Sequence, residues 1–120
     1  MQTTTMEKTT LFFEFLDSQK AKTEAGIISL ANDGRKDESN ILKAKANIYG
    51  ICKAVYNAAL KSNGEEGIAV AFLPAFEKIT SQWTKSLEAA KAHNDSHKVM
   101  IEESKMAAVA EIVEKFQEIF

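Results

Sequence analysis

The sequence contains one proline, five glycines and one cysteine in 120 residues. So few breakers exclude collagen-like and turn-rich all-β chains, and a 45% hydrophobic composition excludes a disordered one. The single cysteine, Cys52, excludes an intrachain disulfide framework and CxxC zinc sites. No charge sign dominates, because 15 basic and 17 acidic residues leave a formal charge of −2. Binding a phosphate backbone needs a concentrated basic surface, so nucleic acid is not expected as the main partner.

Long apolar runs are missing too. Ile68–Leu73 is the longest clean one, against the roughly 18 apolar residues of a membrane span. The start, Met1-Gln-Thr-Thr-Thr-Met6-Glu-Lys, has neither the basic opening nor the apolar stretch of a signal peptide. These absences predict a cytoplasmic protein with no membrane partner, folded as one domain over residues 1–120.

What is present is helical periodicity. In segment one, about Thr4 to Asp33, Thr4-x-x-Glu7 reads as a capping box, and Phe12, Phe15 and Leu16 start an apolar stripe. The middle turns small at Ala21, Ala25 and Gly26, and Ile27, Ile28, Leu30 and Ala31 restore the stripe. Segment two, about Lys36 to Ser62, carries a seam of Ile41, Ala44, Ile48, Ile51, Val55 and Ala58. A second seam lies beside it: Leu42, Ala46, Tyr49, Cys52, Tyr56 and Ala59. Segment three, about Glu65 to His93, opens after a second capping box, Asn63-x-x-Glu66, and keeps phase from Phe72 to Ala90. Pro74 predicts either a kink near Val70, the preferred reading because the phase runs through it, or a short turn ending at Leu73 with Pro74 opening the main helix. Segment four, about Ser96 to Phe120, has the seam Ile101, Ala108, Ile112, Phe116 and Ile119. No stretch alternates with period two.

The fold class expected is therefore all-α, an antiparallel up-down four-helix bundle. One weak point is the cluster His93–His97, which has no glycine, proline or capping box. If it is helical, segments three and four fuse into one long helix, giving a dimeric three-helix arrangement.

No residue pattern carries catalysis. His93 and His97 share a helix face, but no third ligand or ExxH motif accompanies them, so they read as solvent residues near a turn. The acids Glu102, Glu103, Glu111, Glu114 and Glu118 read as a solvated face. Cys52 lies on an apolar seam, where a thiol is inert. No cofactor or metal is expected, and no enzyme. Arg35, Lys36, Lys43, Lys53 and Lys61 make a basic strip that could face phosphate or an acidic neighbour.

Two features point to binding. Phe12, Phe13 and Phe15 cannot all face inward from one helix. With Phe12 and Phe15 inside, Phe13 is left to cover the bundle edge against Phe116 or Phe120, or to form an interface; Phe12, Phe13, Phe116 and Phe120 are the interface candidates. Gly26 and Gly50 lie inside expected helices and mark close approaches between them. The small residues of segment one alternatively leave a cavity lined by Tyr49, Tyr56 and Trp83 for a small apolar ligand. The function expected is a non-enzymatic cytoplasmic helical module that self-associates or docks a protein partner. A ligand-binding or regulatory bundle is the alternative.

Overall fold

The computed structural model describes residues 4–120; Met1–Thr3, where the N-terminal reading begins, lie outside the described residues. Among the described residues there are three helices and no strand: α1 (Thr5–Asn32), α2 (Lys36–Ala92) and α3 (Ser96–Ile119). The Thr4 hydroxyl caps α1, accepting from the Glu7 amide at 3.1 Å.

Four separate helices are thus not formed. A three-helix arrangement fits, but the segments joined are two and three, not three and four. A straight helix of 57 residues would run about 86 Å. The longest extent of the protein is 49 Å. The difference is taken up at Gly64, the one residue inside α2 with non-helical torsions, at φ 73° and ψ 175°. The helix folds back there into two limbs, 36–63 and 65–92. Tyr56 on the first limb and Phe72 on the second are consequently 5.6 Å apart between ring centroids. The turn takes a single residue, which is why no loop separates the limbs. The capping box expected at Asn63 is replaced by the opposite bond: its side-chain amide donates to Ala59 O at 2.9 Å.

Residues 93–95 form a turn, built like the one at 33–35. In the first, Arg35 N donates to Leu30 O at 2.9 Å and Gly34 N to Ala31 O at 3.1 Å. In the second, Asp95 N donates to Ala90 O at 3.0 Å and Asn94 N to Lys91 O at 3.1 Å. Both are Schellman closures around one left-handed residue, Gly34 at φ 76° and Asn94 at φ 54°. Asp95 then caps α3 by accepting from Lys98 N at 3.1 Å.

The helices pack as two antiparallel hairpins, α1 with the first limb and the second limb with α3. Far from the two turns the core is aromatic. Phe12, Phe72 and Phe116 are fully buried, with Phe12–Phe116 at 5.4 Å and Phe72–Phe116 at 4.7 Å. Near the turns the interior is small and polar: Ser39, Ala46, Ala90 and Glu102 are buried. Apolar cover is thin at that end, where Ile28 is 62% and Met100 53% exposed.

Some expectations about facing are corrected. In segment two the second seam supplies most of the core: Ala46, Tyr49, Cys52, Tyr56 and Ala59 are buried, whereas of the first seam Ile48 is buried and Ile51 and Ala58 are exposed. Pro74 does not break the helix, and no residue near Val70 leaves helical torsions. Pro74 and Val70 both face solvent, so the carbonyl freed by the proline can bond water. Gly26 is a close approach, since a Cβ there would meet Leu42 Cδ1 at 3.0 Å. Gly50 is not, its nearest neighbour being Lys20 Nζ at 4.0 Å.

Candidate functional site

The seam between α1 and α3 is only partly filled. The helices meet at Phe12 and Phe116, and again where Gln19 Nε2 donates to Glu111 Oε2 at 3.4 Å. Outside that line runs an open groove of about 540 Å³. Its apolar floor is Leu11, Phe15 and Ile119, and Glu14, Lys22 and Lys115 lie on its rims. Leu11 is 49% exposed. On α1 these residues span three helical turns, from Leu11 to Lys22, because spacings of three and four keep them on one face. Lys115 lies over the Phe15 ring at 5.8 Å and pairs with Glu118 at 3.7 Å. Among the described residues Glu14, Glu114 and Lys22 have no ion pair, so their charges remain available to a bound surface.

Beneath the groove Glu111 joins three helices. Tyr49 Oη donates to it at 2.8 Å and Lys45 Nζ at 3.4 Å, beside the Gln19 contact. Burial, then the bond and the charge of Glu111, push the Tyr49 hydroxyl well above its ordinary value of 10. Burial raises the Cys52 thiol well above its own, which keeps it protonated and unreactive. Tyr56 is raised by burial, partly offset by its hydrogen bond with the Thr9 hydroxyl.

The interface candidates divide. Phe12 and Phe116 are core residues. Phe13 and Phe120 are half-buried and keep some surface. Phe13 packs against Tyr56 at 5.2 Å and under Lys53 at 4.9 Å, rather than against Phe116 or Phe120. Phe15, expected inside, lines the groove instead. The three proposed cavity residues are not brought together. Tyr56 sits in the aromatic core near Phe72 and Phe120, Tyr49 lies level with Glu111, and Trp83 lies beside Lys105.

The basic strip is divided as well. Arg35 pairs with Glu38, and Lys53 with Asp17 at 3.3 Å. Lys36, Lys43 and Lys61 are exposed and share one face of the first limb, but spread over about 38 Å. His93 and His97 are exposed on either side of the second turn. Among the described residues no group of three or more His, Cys, Asp or Glu is placed to hold a metal ion. Among the described residues no helix is long and apolar enough to cross a membrane.

Sequence reasoning missed the groove because Leu11 and Ile119 read as ordinary members of apolar stripes. It also missed Glu102, taken as solvated. That residue is 5% exposed, with Oε1 accepting from Lys105 at 3.1 Å and Oε2 without a partner. Compared with known proteins, the chain matches no family model, no curated protein and no solved structure.

Proposed function

We propose that this chain is a non-enzymatic cytoplasmic helical module that works by docking a protein surface, a partner's or a second copy's, in the groove between α1 and α3. The observation that carries this reading is the groove floor. Leu11, Phe15 and Ile119 form a continuous apolar strip left open on an otherwise charged face. Apolar strips with polar rims are what helix-in-groove recognition uses. The unpaired Glu14, Glu114 and Lys22 supply the polar rim. The cytoplasmic assignment is supported by the one cysteine being a buried free thiol.

Light scattering over a range of concentrations, on the protein alone and mixed with a candidate partner, tests the reading. Leu11→Glu is the informative variant, since half of that side chain is already in water and the fold should tolerate the charge. Association lost on Leu11→Glu with an unchanged melting temperature supports groove docking. Association that ignores the substitution overturns it.

A further inference from the structure

We propose that Gly64 is an exchange hinge. By straightening there, α2 becomes one continuous helix, and two copies trade their 65–120 halves to form a swapped dimer with the same core.

The bend rests on one residue. Of the 57 residues of α2, only Gly64 leaves helical torsions. Its φ of 73° with ψ of 175° is backbone space open essentially to glycine alone. A Cβ built on it meets nothing within 4 Å, so a side chain there has room and only the backbone torsion opposes it. The flanking Lys61, Ser62, Asn63, Glu65 and Glu66 all accept helix. Straightened, Lys61 and Glu65 become an i,i+4 pair of opposite charge.

Each half keeps its own structure through the exchange. Residues 5–63 form one hairpin about the Gly34 turn, and 65–119 another about the Asn94 turn. Contacts between the halves can be made equally well by the same residues of a second copy. These include Tyr56 with Phe72, Phe12 with Phe116 and Tyr49 with Glu111. Exchange of identical elements therefore costs little beyond the hinge.

Something is also gained. Ile51, Ala54, Ala58 and Ala69 are exposed beside the bend. On a straight helix they fall within about 60° of one another, on the side where two extended α2 helices would cross. In the bent form the limbs leave an open groove of about 350 Å³ at Val55, Ala58, Ala59, Ala75 and Ile79. Packing across the bend is incomplete on that face, while the contacts that close it, Tyr56 with Phe72 and those of the buried Ile68, re-form between copies in the exchanged dimer.

The test reads a distance within one chain. Spin labels on Lys43→Cys and Lys85→Cys, both exposed and both 21 residues from Gly64, lie on neighbouring limbs of the bent form. In a straight α2 they stand about 63 Å apart. Cys52 is buried and stays in place. Labelled protein is diluted into unlabelled protein, concentrated, annealed near its melting temperature and cooled. The Gly64→Ala change penalises the bend and favours helix, so it should lower the dimer dissociation constant at least tenfold. The dimer should show the long distance. Four residues, Gly-Ser-Gly-Ser, inserted after Gly64 should restore monomer.

A folded Gly64→Ala that stays monomeric at millimolar concentration overturns the proposal. So does a dimer that keeps the short distance. If Gly64→Ala does not fold, annealed wild type carries the same test, and absence of the long distance overturns it. Leu11→Glu leaves a swapped dimer intact but dissolves a groove dimer, so the two readings fail separately.

Discussion

The Tyr49 hydroxyl and the Glu111 carboxylate are 2.8 Å apart, joining the first limb of α2 to α3 across the molecule. Tyr49 is buried and Glu111 half-buried, so water competes for only one end of the bond. Hydrogen bonds to charged groups contribute about 1.5–3 kcal/mol. Tyr49→Phe keeps the ring and loses the bond. Because Lys45 and Gln19 still reach Glu111, the expected loss is about 1–2 kcal/mol, read from the urea midpoint. An unchanged midpoint would mean that the bond exchanges freely with water.

Stability should fall on the alkaline side. Tyr49, Tyr56 and Cys52 are all raised above their ordinary values, chiefly by burial. For a group whose folded value is raised, stability is full below the unfolded value and declines as pH rises past it. The thiol has the lowest unfolded value, 9.0, and the tyrosines follow at 10.0. The melting temperature should hold to about pH 8 and then decline. Cys52→Ala should move that onset up by roughly one pH unit.

The matching turns make a paired prediction. Asn94→Ala places a Cβ-bearing residue without Asn's local hydrogen bonding at φ 54°, and should cost about 1 kcal/mol. Asn94→Gly should be neutral or stabilising by several tenths of a kcal/mol, as Gly34 illustrates in the other turn. Thermal unfolding of the two variants side by side decides it. Equal midpoints would show that the turn relaxes when substituted.

Glu102 is a place where the fold should improve. Glu102 Oε2 is buried without a partner, and an unsatisfied buried polar atom costs about 1–3 kcal/mol. Lys105, left alone by Glu102→Met, is partly exposed and still lies over the Trp83 ring at 5.8 Å. Glu102→Met should therefore raise stability by about 1 kcal/mol. A destabilised variant would reveal a role for the carboxylate in ordering the turn end.

The helical class was legible because every apolar seam steps by threes and fours and nothing steps by twos. The starts and stops were legible wherever a residue acts locally: Thr4 caps, Gly34 turns left-handed. The turn at 93–95 was doubtful only because glycine was the signal sought. Asn94 supplies the left-handed torsion and Asp95 the cap, so the letters Asn-Asp hold the same instruction. The choice between seams in segment two was not legible. Both have helical spacing, and of the first seam's isoleucines Ile48 is buried while Ile51 gives way to Tyr49 and Tyr56. Those hydroxyls find partners, Glu111 and Thr9, only in the assembled fold. The groove was not legible for a related reason. Which half-covered residues line a seam depends on how far apart α1 and α3 settle, and no local pattern records that distance.

The core's lopsidedness also sets the order in which the protein comes apart. The edge-on and tilted rings of Phe12, Phe72 and Phe116 occupy one end, and Ser39, Ala90 and Glu102 the other. Transient opening will therefore start at the paired turns and run toward the rings. Amide protons of residues 27–42 and 87–102 will exchange with solvent ahead of those around Tyr56 and Phe72. The two turns are the fraying end of the molecule, and the aromatic cluster is the last part to melt.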